Sequence, residues 1–201
     1  MLVKIMFALI AVFAMVACDG ETYKTVNYKT VKIGSQTWMA ENLKVETKDS
    51  WCYDNNESKC EEYGRLYTWG EAMKACPSGW HLPSDREFAA MYTFDYTVIN
   101  EKKSVEMLKS KTGWRRSGNG TDAYSFSALP AGYRLNNGNF GGEGYVTCFW
   151  ISAGSARKPH YLCLDYEGDK LIPEFQDLYG EDRSVDLSRL ISGLSVRCVK
   201  D

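Results

Sequence analysis

The chain has no excess of basic residues. In its 201 residues, 24 lysines and arginines stand against 26 aspartates and glutamates, and the net charge is −2. No lysine- or arginine-rich run interrupts that balance. Nucleic-acid-binding domains carry a basic patch or stripe, so we expect no nucleic-acid partner. The chain also has no internal repeat and no low-complexity tract, and its apolar content of 44% is enough to build a core.

Metal-ligand spacing is also missing. There is no C-x2-C pair, and the two histidines, His81 and His160, lie far from any cysteine pair. Structural zinc sites need such spacing, so we predict no metal site and no cofactor. Of the seven cysteines, six remain if Cys18 is set aside for lipidation, and an even number in an exported chain indicates disulfides. Six cysteines allow fifteen pairings, so spacing alone leaves the connectivity open.

No apolar run is long enough to cross a bilayer comfortably. The unbroken apolar stretch Ile5–Ala17 follows Lys4 and is typical of the hydrophobic region of a signal peptide. The segment Met15–Cys18 resembles the bacterial lipoprotein box, in which the cysteine is diacylated and becomes the mature N-terminus. Met15 stands where leucine is usual, so ordinary signal cleavage is the alternative, with a transmembrane anchor as a third reading.

We therefore predict a lipoprotein signal peptide over residues 1–17, lipidation of Cys18, and a polar tether over residues 18–30. A protein of this kind contacts the membrane through its N-terminal lipid. The expected location is the cell envelope, at the outer membrane or the cell surface.

The first part of the remaining chain predicts a hairpin and helices. Val31–Ala40 alternates around a turn at Gly34-Ser35. Lys48–Glu62 is polar, with a turn at residues 54–56, and Cys52 and Cys60 bracket it as a local staple. Capping patterns start one helix over Trp69–Cys76 and another at Ser84, and a third is expected over Lys102–Lys109.

From Phe126 onward, short apolar runs recur between glycine and asparagine turns, which indicates strands. Two to three short helices followed by antiparallel strands predict an α+β domain.

Five blocks in consistent order resemble one family, the Fibrobacter succinogenes major paralogous domain: IGSQTWMAENL (33–43), YGRLYTWGEAMKACPSGWHLPSDREF (63–88), FSALPAGYR (126–134), FWIS (149–152) and LSVRCVKD (194–201). The resemblance covers residues 31–201, which we take as the domain. That family has no assigned biochemical activity and is grouped with the C-type lectin-like fold. The resemblance therefore implies a disulfide-stapled C-type lectin-like domain.

The resemblance also implies a disulfide pairing. C-type lectin-like domains bridge a helix-borne cysteine near their start to a cysteine in the last strand, which pairs Cys76 with Cys198. Cys52–Cys60 is then the local staple. The remaining pair, Cys148–Cys163, lies in two successive strand candidates joined by the turn-like segment 153–158, where a cross-strand bridge is geometrically reasonable.

The functional motifs of better-known relatives of that fold are absent. The sequence contains no Glu-Pro-Asn, Gln-Pro-Asp or Trp-Asn-Asp triplet of calcium-dependent lectins, and no C-x4-C arrangement of formylglycine-generating enzymes. Asp165, Glu167 and Asp169 alternate, but they lack the other ligands of a calcium loop, so a solvated strand end is the preferred reading. Cys76 with His81 is disfavoured as a nucleophile–base pair, because Cys76 is expected in a disulfide.

Tryptophans provide the candidate ligand contacts. Trp51 lies in a polar loop and Trp114 in a glycine-rich one, where an exposed ring offers a flat apolar face. A buried core position is expected instead for four others: Trp38, Trp69, Trp80 and Trp150.

Structural roles are expected for several polar residues. His81 is read as a packed or hydrogen-bonded histidine, Glu41-Asn42 as a satisfied turn, and Arg134 and Arg197 as partners in salt bridges or cation–π contacts. We expect a non-enzymatic binding module for a glycan or an envelope protein. The alternative is a structural envelope component, and an enzyme is the least favoured class.

Overall fold

A computed structural model describes residues 27–93, 101–152, 159–167 and 191–201. Several predictions lie outside these residues: the signal peptide 1–17, lipidation of Cys18, the tether up to residue 26, the turn at 153–158, and Asp169. Within the described ranges, no helix has both the length and the apolar character needed to cross a bilayer.

The described part is an α+β fold with more strand than helix. Its strands are β1 (Thr30–Ile33), β2 (Gln36–Met39), β3 (Ser50–Trp51), β4 (Leu66–Tyr67), β5 (Trp80–His81), β6 (Ala131–Leu135), β7 (Phe140–Glu143), β8 (Val146–Ile151), β9 (His160–Asp165), β10 (Ile191–Ser195) and β11 (Val199–Lys200). Its helices are α1 (Glu57–Tyr63), α2 (Trp69–Ala75), α3 (Asp85–Thr93) and α4 (Glu101–Leu108).

The predicted hairpin opens a four-stranded antiparallel sheet with the order β1-β2-β11-β5. Its strands β1 and β2 pair from Thr30 with Met39 to Ile33 with Gln36, across the turn at Gly34-Ser35. Strand β11 lies between β2 and β5, with Val199 opposite both Trp38 and His81. The last strand, β11, therefore pairs with the second strand of the hairpin.

A larger sheet of seven strands has the order β3-β4-β10-β6-β8-β9, with β7 on β6. It is mixed rather than purely antiparallel, because β8 runs parallel to both β6 and β10. Strands β8 and β9 pair antiparallel along their full length, and Cys148 stands directly opposite Cys163.

Strand β8 is buried on both faces, so its side chains feed two cores. Cys148 and Trp150 join one cluster with Met39, Tyr67 and Leu194, while Phe149 and Ile151 join the other. The second cluster includes residues of α3 and α4, namely Phe88, Met91, Val105 and Leu108. These helices cover one face of β8, which would otherwise be exposed to water.

Three disulfides cross-link this framework: Cys52–Cys60, Cys76–Cys198 and Cys148–Cys163. They are the three expected pairs. Cys76–Cys198 joins the end of α2 to the residue before β11, across 122 positions of sequence. The other two close short loops of 8 and 15 positions.

The capping predictions hold at two helices. Thr68 Oγ1 accepts a hydrogen bond from the Glu71 amide at the start of α2. At α3 the Ser84 amide and hydroxyl both donate to Glu87 Oε2, which makes a capping box. Helix α4 begins one residue earlier than predicted and ends one residue earlier.

Other expectations were wrong. Helix α1 lies in the stretch expected to be a polar loop, because Asn56 caps it and only Cys60 and Tyr63 on its inner face are buried. Too few apolar residues follow the helical period there to mark it. Among the described residues, the α-helices number four rather than the predicted two to three.

Trp69 and Trp80 also differ from expectation, because both are half-buried rather than fully buried. Trp80 lies in β5, at an edge of the four-stranded sheet, where a neighbouring strand covers one side only. Trp38 and Trp150 are buried as expected.

Candidate functional site

An open cleft of about 940 Å³ lies where three parts of the chain meet. One wall comes from the β1–β2 hairpin and the residues after it, and a second from the end of α1. The third is the loop between α4 and β6. The lining residues are Lys29, Thr30, Val31, Ala40, Glu41, Asn42, Lys44, Glu61, Glu62, Gly64, Ser110, Lys111, Thr112, Asp122, Ser125, Ser127 and Leu129.

Most of the lining side chains are polar. It carries four carboxylates, three lysines, one amide and five hydroxyls, and no aromatic ring among the described residues. The lining therefore offers both hydrogen-bond donors and acceptors, which suits a ligand that is itself rich in hydroxyl or amide groups.

The buried Arg197 guanidinium connects two of these walls from below. Its Nε and Nη2 donate to Asn42 Oδ1 at 3.0 and 2.5 Å, and its Nη1 donates to the carbonyls of Met39 and Phe126. Asn42 lines the cleft, and Phe126 lies between the lining residues Ser125 and Ser127. Arg197 therefore fixes the separation of the hairpin wall and the loop wall.

The Arg197 side chain is almost completely buried. Complete burial lowers its pKa to about 9, while the charges of Glu41 and Asp122 act in the opposite direction. The guanidinium also lies over the Phe126 ring, 4.3 Å from its centroid. Among the described residues no carboxylate pairs with it directly, so neutral oxygens and an aromatic face stabilise the charge.

The loop wall holds a strained backbone. Asp122, Ser125 and Ser127 have φ of 49°, 53° and 54°, in the left-handed region that side chains other than glycine seldom adopt. Asp122 compensates locally, because its carboxylate accepts from the Ser127 amide at 2.7 Å and hydroxyl at 2.6 Å. Such conformations cost about 1–3 kcal/mol each and cluster at binding and active sites.

The hairpin wall depends on one close approach. Asn42 is buried, and its Nδ2 donates to the Tyr63 carbonyl at 2.8 Å. Gly64 sits against it with φ of 76°, and a Cβ there would lie 2.7 Å from the Asn42 Cβ. Only glycine fits this position. Asn42 is satisfied, as expected, but with Glu41 it also forms part of the cleft.

The cleft side chains are partly held in place. Glu41 Oε1 accepts from the Lys29 amide at 2.8 Å, and Lys44 Nζ donates to the carbonyl of Glu61 at 2.7 Å. Ser110 Oγ donates to the Thr112 carbonyl at 2.7 Å. The polar surface is therefore largely preformed, which lowers the entropy lost when a ligand binds.

Trp114, a predicted ligand contact, is buried rather than exposed in a loop. It is only 5% exposed, and its Nε1 donates to Ser110 Oγ and to the Ala128 carbonyl, both at 3.1 Å. The buried Lys109 ammonium lies 4.2 Å from its ring centroid. A glycine-rich surrounding sequence indicated an exposed loop, but the ring is a structural member of the second core.

Trp51 is half-buried in β3 and lies outside the cleft. The Arg134 guanidinium covers one ring face at 3.9 Å, and it donates to Ser192 Oγ at 2.9 Å. A cation–π role for Arg134 is confirmed. A ligand at Trp51 would meet only the part of the ring that Arg134 leaves uncovered.

Cys76 and His81 do not form a reactive pair. Cys76 is bonded to Cys198, and His81 lies between two carboxylates instead. Its Nδ1 is 2.6 Å from Asp201 Oδ1 and its Nε2 is 2.9 Å from Glu87 Oε1. Burial lowers the pKa of His81, but these hydrogen bonds and charges outweigh it and raise the pKa above its ordinary value.

Within the described ranges, one group brings three residues with metal-ligating side chains together: Cys52, Glu57 and Cys60. Both sulfurs are in a disulfide and are not thiolate ligands. At the end of β9, Asp165 is buried and Glu167 is exposed, and Glu167 accepts from the Tyr166 hydroxyl.

Sequence reasoning missed the cleft, since its walls lie far apart in the chain. One local signal was available. An aspartate such as Asp122 often accepts hydrogen bonds from residues a few positions later, here Ser127, and this pattern predicts a turn. Nothing local indicated that this turn faces Glu41 and Asn42.

The fold and cleft define a class: a disulfide-cross-linked α+β domain with an open cleft lined mostly by polar side chains. The sequence profile of the Fibrobacter succinogenes major domain matches residues 31–200, and the chain belongs to that family. Searches of curated proteins and of solved structures find no match to the chain.

Proposed function

We propose that the protein is a lipid-anchored envelope protein whose domain binds a polar ligand, of which a glycan is the preferred class, in the cleft and without catalysis. The observation that carries this proposal is the cleft itself. Strained residues Asp122, Ser125 and Ser127 form one wall, and Arg197 ties that wall to Asn42 on the other. Strain maintained around a polar depression suits a preorganised binding site.

The lining chemistry favours a polyhydroxylated ligand. Hydroxyl-rich molecules need both donors and acceptors, and the cleft supplies carboxylates, lysines, hydroxyls and the Asn42 amide. All six cysteines of the described residues are oxidised, so no thiolate is present to serve as a nucleophile there. These two features support a binding module over an enzyme.

We also propose a C-type lectin-like fold and an anchored location. The fold is supported by the long bridge from α2 to Cys198 and by the pairing of β11 beside the opening hairpin. The location is supported by the sequence pattern of residues 1–18, with Cys18 as the acylated residue and the outer membrane or cell surface as the destination.

The test is a binding survey with a variant that blocks the cleft. The mature protein in detergent is applied to arrays of polysaccharides and envelope proteins. Thr112 is an exposed lining residue, so Thr112→Tyr fills the cleft, whereas Ser78→Tyr adds the same ring at an exposed position outside it. We expect polysaccharide binding that Thr112→Tyr abolishes and Ser78→Tyr preserves.

Other outcomes contradict parts of the proposal. Equal binding by wild type and Thr112→Tyr would place the ligand elsewhere. Stable co-purification with one envelope protein, without polysaccharide binding, would favour the alternative of a structural component. Release of new reducing ends from a bound polysaccharide would show that the protein is an enzyme.

A further inference from the structure

Four side chains outside the cleft form a compact cationic surface, which we call the arginine platform: Arg115, Arg116, Tyr145 and Tyr166. The two tyrosine rings meet edge to face, 5.7 Å apart. Arg115 lies over Tyr145 at 5.4 Å, and Arg116 lies over Tyr145 and Tyr166 at 5.7 and 5.4 Å. Both arginines are exposed, and both rings are half-buried.

The backbone holds the platform in place. The Arg115 amide donates to the Gly144 carbonyl at 2.8 Å, and Arg116 and Ser117 both have positive φ, 52° and 58°. Gly118 is buried against the end of β9, where a Cβ would lie 2.6 Å from the Tyr166 carbonyl oxygen. The turn that carries the two arginines is therefore anchored to β9 and to the β7–β8 connection.

The platform arginines differ from three lysines of the surface in their pairing. Lys44, Lys59 and Lys74 each form an ion pair with a glutamate. In the part of the chain that the structure describes, Arg115 and Arg116 form none. The nearest acidic link is indirect, because Arg116 Nη1 donates to the Tyr166 hydroxyl, which donates to Glu167.

Stacked guanidinium groups are suited to bind oxyanions. A guanidinium lying over a ring keeps its N–H donors in one plane, where they match the two oxygens of a carboxylate or a sulfate. The rings already hold the arginine side chains, so less rotamer entropy is lost on binding. Two such groups on adjacent residues match a polymer with repeated anionic groups better than a single small anion.

We propose that the arginine platform binds an acidic polysaccharide through its carboxylate groups. An anionic bilayer is the less suitable partner, because insertion needs exposed apolar side chains. Among the described residues, the exposed large apolar side chains are Val45 and Met73, and neither belongs to the platform. The net charge of −2 also disfavours general attraction to an anionic membrane.

The test uses the full chain with Cys18→Ser, so that no lipid is attached, and polygalacturonate as the probe. Affinity is measured by calorimetry at low and physiological salt, with neutral dextran and phosphatidylglycerol vesicles as comparison probes. We expect binding to polygalacturonate alone. The double variant Arg115→Gln and Arg116→Gln should lower the affinity for polygalacturonate at least about tenfold. It should also make that affinity less dependent on salt concentration.

Two controls separate the site from general charge. Lys32→Gln with Lys200→Gln removes the same two charges at exposed positions elsewhere and should leave affinity within about twofold. Arg116→Lys keeps the charge but loses the planar donor array, and should give an intermediate loss. An unchanged urea midpoint for each variant shows that the fold is retained.

Three outcomes overturn the proposal: no binding to polygalacturonate at low salt, an equal loss in the lysine control, or binding to vesicles in preference to the polymer. The proposal is independent of the cleft. Thr112→Tyr should therefore leave polygalacturonate binding unchanged even if it abolishes the binding proposed for the cleft.

Discussion

Arg197 and Asn42 lie 155 positions apart in the chain, yet Nε and Nη2 of the arginine both donate to the single Oδ1 of the asparagine. Neither side chain has more than 4% of its surface exposed. The contact joins the connection between β10 and β11 to the segment after β2, and Asn42 lines the polar cleft. Because Arg197 also donates to the Phe126 carbonyl, this long-range contact links the hairpin wall of the cleft to the loop wall.

The first prediction concerns this contact. Asn42→Ala removes one acceptor of a buried guanidinium and leaves the Tyr63 carbonyl without its donor. We expect a loss of about 3 kcal/mol in the free energy of unfolding, measured by urea denaturation. Asn139→Ala, at an exposed turn position, should change it by less than about 0.5 kcal/mol. Equal effects of the two variants would contradict the role given to Arg197.

The second prediction concerns pH. The raised pKa of His81 gives a stabilisation that is fully present below the unfolded-state pKa and is lost as pH rises through the folded-state value. Burial raises the pKa of Glu87, but hydrogen bonds from Ser84 and His81 outweigh it and lower the pKa. The contribution of Glu87 is therefore present above its unfolded-state pKa and lost on acidification.

Urea midpoints measured from about pH 5.5 to about pH 8.5 should fall on the alkaline side in the wild type. His81→Gln should remove that fall, and Asp201→Asn should reduce it. Proton NMR should place the titration midpoint of the His81 ring above the ordinary histidine value. A midpoint at or below that value would show that Glu87 and Asp201 do not stabilise the protonated His81 ring.

The third prediction ranks the disulfides. In the chain-entropy model, the loops of 122, 15 and 8 positions correspond to about 5, 3 and 2.5 kcal/mol. Paired alanine variants should therefore lose stability in the order Cys76–Cys198, Cys148–Cys163, Cys52–Cys60, as measured by urea unfolding. Cys148 and Cys163 are fully buried, so their alanine variant also carries a cavity cost. A larger loss for Cys52–Cys60 than for Cys76–Cys198 would contradict the loop-length account.

The fourth prediction concerns maturation. Intact mass spectrometry of the membrane-extracted protein should show loss of residues 1–17 and addition of acyl chains at Cys18. Alkylation should modify no cysteine before reduction and six cysteines after it, because the six cysteines of the domain are paired in disulfides. A mature chain with an unmodified Cys18 thiol would replace lipidation with ordinary signal cleavage.

Local signals in the sequence predicted much of the secondary structure. The hairpin around Gly34-Ser35 and the caps at Thr68 and Ser84 involve residues within a few positions of one another, and the structure contains all three. Helix α1 was missed because two buried positions, Cys60 and Tyr63, are too few to reveal a helical period.

The two tryptophan predictions show where local context fails. Trp114 has glycine-rich neighbours, yet it is buried because Ser110 Oγ and the Ala128 carbonyl accept its N–H group. Trp51 is half-buried beneath Arg134, a contact across 83 positions of sequence. Exposure depends on what packs against a ring, and neighbouring residues in the chain do not determine that.

By itself the sequence determined the family and the α+β class, because family blocks, caps and alternation are read along the chain. Cysteine counts left fifteen pairings open, and the three pairs that the resemblance implied are the ones in the structure. Only the tertiary structure decided the cleft and the arginine platform. Asn42 meets Arg197, and Arg116 meets Tyr166, across gaps that no periodicity spans. Such sites depend on how the residues beside β9 and β11 pack against loops that are distant in the sequence. Packing of this kind is a property of the whole fold.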